Sequence, residues 1–481
     1  MVLYINLFMP LIKSISGIRG TIGGRPGENL TPVDIVGFVA AYAEILKQDN
    51  PSSPVKVIIG RDSRLSGEII KDLVAGTLRS QGIDVVDLGL AAAPTVEMAV
   101  IEARAQGGII LTASHNPSGW NALKLLNPNS EIFSAAQGRR VLALAEQANF
   151  AFATEDKLGH YAVDAALAAK HLDAILGLPL VDPAAIAARN FKIVVDGINS
   201  VGGLVVPELL ARLGVRDIVR LNCEPDGQFA HRPEPLPENL VMVGEKVRET
   251  KADLGIVVDP DVDRLSFVAE NGELISEEYT LVAVADYILE NFARIEEIYP
   301  GQYEQTTTSN LSSSRALRDI AAKHGGRYEL AAVGEINVVE KMKAIKSVIG
   351  GEGNGGVIYA PLHYGRDALV GIALFLSALA RSRQQISEFK RQLPEYFIIK
   401  DKIALPDELD LPAILNRIKT ENINERITDI DGLRIDWADS WVHLRSSNTE
   451  PIIRVYAEAT TQERAKTIAD SFKNKILSYI K

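Results

Sequence analysis

The chain has 481 residues, 47% of them hydrophobic and 23% charged, with a formal net charge of -11 at pH 7. That length exceeds what one hydrophobic core supports and predicts several domains, while the acidic balance argues against a nucleic-acid binder, which needs a basic face. No run approaches the ~20 apolar residues of a membrane span, and the single cysteine, Cys223, excludes an intramolecular disulfide and suits a reducing cytoplasm. The opening Met1 to Phe8 is apolar but too short, and without the charged start, to read as a signal peptide; Met9 is an alternative initiator.

In chain order, Lys13 to Thr21 gathers glycines and hydroxyls around Arg19, a composition suited to close approach to an anion and equally to a plain glycine-rich turn. Thr31-Pro32 predicts a helix start, with Val36, Val39, Ala43 and Leu46 recurring at helical spacing. Val55 to Ile59 reads as a strand and runs into Gly60-Arg61-Asp62-Ser63-Arg64, a loop with two guanidinium groups. A helix from about Ser66 to Arg79, a strand at Val85 to Leu88 and a helix from near Pro94 continue the alternation of a mainly parallel sheet covered by helices. The apolar Gly108 to Leu111 ends at Thr112-Ala113-Ser114-His115-Asn116-Pro117, which puts Ser114 at a strand's carboxyl end, where α/β sheets bind ligands. On the hexapeptide alone, a serine beside a histidine is as well explained as a polar turn. Lys124 follows ten residues after Ser114.

The Ala-rich stretch from Ala151 to Arg189 predicts a helical connection, after which Phe191 to Gly197 restarts the strand-then-helix rhythm. Asp226 to Pro237 is a Pro-rich structured loop. The strand Leu254 to Val258 then runs directly into Asp259-Pro260-Asp261-Val262-Asp263-Arg264, three carboxylates at alternate positions. Such a concentration calls for a cation, and oxygen donors without Cys or a nearby His suit a hard ion such as Mg²⁺. A third α/β unit starts near Glu278 and contains Gly350-Gly351-Glu352-Gly353-Asn354-Gly355-Gly356, whose carboxylate and amide suit vicinal sugar hydroxyls. His363 lies before the next helix, as a site residue or as a local hydrogen-bonding partner. After Tyr396 short strands precede a final helix, for which Thr460 and Glu463 offer a capping box. Within that last part, Arg445-Ser446-Ser447-Asn448-Thr449 with Arg454 brings together the components of a phosphate cradle.

These motifs, in this order and over nearly the whole chain, resemble the α-D-phosphohexomutase family. The resemblance implies an α/β fold of three similar domains with mixed, largely parallel sheets and a smaller C-terminal α+β domain around a central cleft. It sets the domains at 1–165 (phosphoserine loop), 166–285 (metal loop), 286–393 (sugar loop) and 394–481 (phosphate loop). It implies that Ser114 carries a phosphate and that Asp259, Asp261 and Asp263 bind one Mg²⁺ beside it. Lys124 and Arg19 are implied in proton transfer, with Lys124 a general base tuned by cations such as Arg19, and His115 in positioning the loop. Substrate contacts are implied for Arg264, Glu352, Asn354, His363, Arg445, Ser447, Asn448, Thr449 and Arg454.

The implied reaction interconverts hexose 6-phosphate and hexose 1-phosphate through a hexose 1,6-bisphosphate intermediate that also serves as activator. Glucosamine phosphate is the expected substrate, with a broad phosphoglucomutase/phosphomannomutase as the alternative. The expected partner is this small molecule alone, with no nucleic acid and no membrane, for a cytoplasmic monomer or homodimer. Two departures stand out: Pro260 replaces the Gly common in the family's metal loop, and Asn354-Gly355-Gly356 stands where better-known bacterial members have Ser-Gly-His, with His363 a substitute for the lost imidazole. A metal-dependent phosphatase and a non-catalytic sugar-phosphate binder are the readings from other classes; intact Ser114 and all three Asp residues count against the second.

Overall fold

The computed structural model describes residues 11–14, 17–234, 237–404, 410–446 and 452–480. The alternative starts at Met1 and Met9, and the expected phosphate contacts of Ser447, Asn448 and Thr449, lie outside them. The chain divides into two compact units, residues 1–280 with 355–387 and residues 281–354 with 388–481.

The first unit holds two sheets. The larger has seven strands in the order Ile12–Ser14, Gly17–Thr21, Trp120–Leu126, Gly107–Leu111, Lys56–Arg61, Asp84–Leu90, Tyr161–Val163. The pairings from Gly107–Leu111 through Tyr161–Val163 are parallel and the others antiparallel, so the sheet is mixed. Its buried strands read as unbroken apolar runs because both faces are covered. Ile59, Ile109 and Leu111 pack on one side with Ile35, Val39 and Val74 of the helices Pro32–Asp49 and Gly67–Ser80. Ile58 and Ile110 pack on the other with Val96 and Val100 of Ala93–Glu102. The Ala-rich connection is helical at Ala165–Leu176 and Pro183–Arg189, but its start contributes the short edge strand Tyr161–Val163, too brief to show a period in sequence.

The second sheet of this unit has five strands, ordered Leu274–Ile275, Leu265–Ala269, Leu254–Val258, Lys192–Asp196, Asp217–Leu221. Helix Ala368–Ser382 packs Phe375 on Phe267, ring centroids 4.0 Å apart.

In the second unit, strand Glu304–Asn310 pairs in parallel with Arg327–Ala331 and with Ser347–Glu352. A separate antiparallel sheet runs Phe397–Ala404, Ile452–Ala459, Ser440–Ser446, Leu433–Asp436, Arg426–Thr428, with helices Leu411–Glu421 and Gln462–Ile480 against it. The final helix begins one residue later than Thr460 and Glu463 would set it: Thr461 Oγ1 accepts from Arg464 N–H at 3.3 Å. Among the described residues, no helix is long and apolar enough to cross a membrane.

Candidate active site

The loop carrying Ser114 is held from below by two residues that have no role in the sequence reading. Asp62 and Arg64 follow the strand Lys56–Arg61, are buried, and pair Oδ2 to Nε at 3.0 Å. Arg64 Nη2 donates to the carbonyls of Ser114 (2.6 Å) and Asn116 (2.7 Å), and Nη1 to those of Pro117 (2.6 Å) and Trp120 (2.9 Å). Thr112 Oγ1 donates to Asp62 Oδ2 at 2.7 Å and accepts from Ser114 N–H at 2.9 Å. Ser114 has φ +45°, a left-handed conformation that a residue with a Cβ keeps only where its surroundings dictate it.

The three-carboxylate loop joins the antiparallel strands Leu254–Val258 and Leu265–Ala269. Asp259, Asp261 and Asp263 are buried, and a carboxylate oxygen of each lies within 4.8 Å of the others. Ser114 Oγ donates to Asp259 Oδ2 at 2.7 Å, so the serine and the acidic loop share one site. Burial, followed by the charges of Asp261 and Asp263, pushes the Asp259 carboxyl well above its usual range. Burial would raise Asp263 too, but Arg366, Lys124 and Arg264 outweigh it and hold that carboxyl well below. Arg366 Nη2 donates to Asp263 Oδ2 at 2.7 Å. Asp261 Oδ1 and Asp263 Oδ1 are buried with no hydrogen-bond partner among the described residues. Crowded hard oxygen donors with unsatisfied lone pairs fit a divalent cation, and a proline between Asp259 and Asp261 removes none of them.

Lys124 Nζ lies 2.7 Å from Asp261 Oδ2 and 3.2 Å from Asp263 Oδ2. The sequence reading tunes this lysine with cations; two carboxylates are among its contacts. Arg19 pairs across the sheet with Ala122, two residues from Lys124, so the two side chains share a face. His115 Nδ1 is 2.8 Å from Arg264 Nη2, and Arg264, then burial, hold its imidazole well below the ordinary 6.5. A neutral imidazole accepting from a guanidinium is a poor base. Arg264 also reaches Glu234 Oε1 at 3.3 Å.

His363, expected to stand in for the missing sugar-loop imidazole, is buried: its side chain is 1% exposed, with Nε2 3.3 Å from Asp367 Oδ2 and Nδ1 at an ion-pair distance of 3.3 Å from Glu97 Oε2. Burial opposes its charge, but hydrogen bonds to Asp367 and Glu97 prevail and push its pKa from 6.5 up to about 10. Between those values the folded chain holds a proton that the unfolded chain has lost, so stability falls as pH rises. The melting temperature is expected to decline from pH 6.5 toward 10, with a flatter slope in H363Q.

In the second unit Glu352 ends its strand and is fixed on one side: Oε1 accepts from Asn310 Nδ2 at 2.8 Å and from Gly334 N–H at 3.1 Å. Gly334 has φ +115°, open to glycine and costly for other residues, and this turn brings its N–H to the carboxylate. Asn354 Nδ2 donates to Glu352 Oε2 at 3.4 Å, so the carboxylate and amide are neighbours. Arg445 and Arg454 lie directly opposite each other on antiparallel strands. Like charges in that register repel, and an anion relieves them. Arg445 Nε is steadied 3.2 Å from Asp431 Oδ2, and Arg454 Nη1 donates to the Tyr456 hydroxyl at 3.0 Å. Asn310, Asp431 and Arg366 escape a sequence reading because their partners lie 42, 14 and 103 residues away in the chain.

Four domain models of one family match the chain in order. The phosphoglucomutase/phosphomannomutase alpha/beta/alpha domains I, II and III match residues 12–151, 169–272 and 276–397, and the C-terminal domain of that family matches residues 402–475. The chain is 35% identical to "Phosphoglucomutase/phosphomannomutase" of Thermococcus kodakarensis over 93% of its own length and 95% of that protein's. It is 32% identical to "Probable phosphoglucosamine mutase" of Methanopyrus kandleri, covering 95% and 96% of the two chains. The crystal structure of a phosphoglucomutase/phosphomannomutase family protein from Burkholderia thailandensis superposes with a TM-score of 0.82 at 26% identity, over 97% of this chain and 98% of that one. With all four domains matched in order, and a serine hydroxyl set against a buried three-carboxylate loop, the chain belongs to the phosphoglucomutase/phosphomannomutase family of α-D-phosphohexomutases.

Proposed function

We propose that this phosphohexomutase interconverts glucosamine 6-phosphate and glucosamine 1-phosphate in the cytoplasm, through a phosphorylated Ser114 and a hexose 1,6-bisphosphate. The observation that carries the reading is the Ser114 hydroxyl 2.7 Å from Asp259, in a loop whose Asp261 and Asp263 each keep an unsatisfied buried oxygen. We take the four functional domains to run 1–165, 166–285, 286–393 and 394–481.

A free serine hydroxyl is a weak nucleophile, and His115, the nearest candidate base in sequence, is engaged by Arg264. Carried as its phosphate ester, Ser114 is instead a phosphoryl donor. Asp259, Asp261 and Asp263, with the serine phosphate, are the residues that would hold Mg²⁺. Bound Mg²⁺ would supply positive charge to the phosphoryl oxygens and compete with Lys124 for Asp261 and Asp263. In the first half-reaction the P–O bond to Ser114 breaks and leaves the serine oxygen as an alkoxide, a P–O bond to the free sugar hydroxyl forms, and Lys124, as its neutral amine with Arg19 beside it, takes up the hydroxyl proton. After the bisphosphate turns over, the Ser114 alkoxide takes the sugar's other phosphoryl group and Lys124 returns the proton to the sugar oxygen left behind. Glu352 and Asn354 read the sugar, and Arg445, Ser447, Asn448, Thr449 and Arg454 hold the phosphate that is not reacting. Arg264, on the same loop as the three carboxylates, steadies the reacting phosphate.

The preference for glucosamine phosphate rests on the Gly-Glu-Gly-Asn-Gly-Gly form of the sugar loop and on relatives named as probable phosphoglucosamine mutases. The phosphoglucomutase/phosphomannomutase of Thermococcus kodakarensis, at 35% identity, supports glucose and mannose phosphates as the second reading. Coupled assays with the 6-phosphates of glucosamine, glucose and mannose, each primed with its 1,6-bisphosphate and Mg²⁺, decide between them. The expected result is isomerisation that favours glucosamine phosphate and stops when the cation is chelated. Release of inorganic phosphate in place of an isomer would make the protein a phosphatase and overturn the reading.

A further inference from the structure

Behind the three-carboxylate loop lies a second buried cluster that the reaction described above does not use. His171 Nε2 is 2.9 Å and His363 Nε2 is 3.3 Å from the same oxygen, Asp367 Oδ2. The outer nitrogens are engaged as well: His171 Nδ1 lies 3.1 Å from Thr95 Oγ1, and His363 Nδ1 3.3 Å from Glu97 Oε2. The side chains of His171, His363 and Asp367 are each 1% exposed or less. So costly a burial of charge persists when it holds something in place.

What it holds is next to it in the chain. Arg366, adjacent to Asp367, is the residue whose guanidinium meets Asp263 at 2.7 Å. Ala368 N–H, on the other side, donates to the carbonyl of Val262 at 3.2 Å. Val262 has φ +61°, a strained conformation for a β-branched residue, and it lies between two of the carboxylates. From the opposite wall, Ala93 N–H donates to the carbonyl of Asp261 at 2.8 Å, and Ala93 begins the helix that supplies Thr95 and Glu97. The cluster thus ties together the two segments that grip the acidic loop by its backbone.

We propose that His171, His363 and Asp367, backed by Thr95 and Glu97, are positioning residues that set Arg366 on Asp263 and keep the strained Val262 turn in its ligating shape. The proposal rests on the three-carboxylate loop being the Mg²⁺ site. Its specific content is that the cluster governs metal affinity from a distance, with no contact to metal or sugar.

The decisive variant is Asp367→Asn. Asp367 Oδ1 caps the helix Ala368–Ser382 by accepting from Leu369 N–H at 2.8 Å and Val370 N–H at 3.2 Å, and an asparagine oxygen keeps that cap. The amide nitrogen, however, replaces the acceptor on which both imidazoles converge. By calorimetric titration of the folded protein, Mg²⁺ is expected to bind about tenfold more weakly to D367N, in line with outer-shell effects at other metal sites. At saturating Mg²⁺ the KM for sugar phosphate should stay within about twofold of the parent. Arg366→Lys should weaken Mg²⁺ similarly, and the double variant little more than either alone, since both act through one contact.

Unchanged Mg²⁺ affinity in folded D367N, with only a lower melting temperature, would reduce the cluster to a structural support and overturn the proposal. His171→Asn, which removes one donor and leaves the carboxylate, serves if D367N does not fold; a smaller loss of Mg²⁺ affinity is expected, and none overturns the proposal. One imidazole nitrogen or carboxylate oxygen from each of the three residues lies within 4.8 Å of the others, so elemental analysis of Mg²⁺-stripped wild-type protein is a further check. A tightly held transition-metal ion lost in D367N would make the cluster itself a metal centre and overturn the proposal. A wild-type protein without Mg²⁺ affinity would sink the metal-loop reading and this proposal together, whereas equal affinity in wild type and D367N sinks this one alone.

Discussion

Replacing Ser114 with alanine is expected to abolish isomerisation, lowering kcat by at least about 10³-fold, while leaving the fold intact. The two halves of that expectation come from different atoms of the same residue. Chemistry is assigned to Oγ, which donates to the Asp259 carboxylate at 2.7 Å. Structure depends on the backbone: Arg64 grips the Ser114 carbonyl and Thr112 takes the Ser114 N–H, and alanine keeps both. The melting temperature of S114A should therefore move by only a few degrees. Incubation with a 1,6-bisphosphate labelled in its phosphates should transfer label to wild-type protein and none to S114A. Retained turnover, or equal labelling of S114A, would place the phosphoryl carrier elsewhere.

The parts of this site that stand together in sequence were legible there. Asp259, Asp261 and Asp263 fall within five residues at the end of a buried strand, a position that suits a ligand site better than an acidic solvated turn. Ser114 gained its meaning only beside them, since a serine before a histidine carries little by itself. The supports of the site were illegible for a physical reason: each joins segments remote in the chain. Asp62 and Arg64 read as loop charges because the Thr112 hydroxyl that donates to Asp62 and the carbonyls that accept from Arg64 lie about fifty residues on, and carbonyls carry no signature in a sequence. His363 was visible as a histidine, but the Asp367 and Glu97 carboxylates that bury it come from its own turn and from a helix far earlier. Lys124 shows the same limit, since the charges around it come from a loop more than 130 residues away. The opposition of Arg445 and Arg454 needed strand register, which flanking positions alone do not supply.

The second large effect is expected at Arg64, where substitution should damage folding and chemistry separably. Arg64→Met leaves Asp62 buried without its guanidinium and removes a donor from four carbonyls of the serine loop, of which Pro117 keeps the Trp120 N–H. Breaking a buried ion pair from one side costs about 3–5 kcal/mol, a large part of the stability of an ordinary domain. R64M should accordingly melt much earlier or accumulate poorly. Arg64→Lys separates the two roles. An ammonium can still pair with Asp62, so much of the stability should survive, but three rotating donors cannot span carbonyls placed for a planar fork. The Ser114 loop then loses the frame that keeps it at φ +45°, and its hydroxyl drifts from Asp259. A misplacement of about 1 Å at a reacting centre costs about 10²-fold in rate. Folded R64K is expected to show about that loss in kcat, with KM for sugar phosphate within about threefold of wild type, because Arg64 is assigned to the serine loop and not to the sugar or its distal phosphate. A normal kcat in R64K would mean that the serine loop keeps its shape without the guanidinium, and that the strain at Ser114 is held by Asp62 and Thr112 alone.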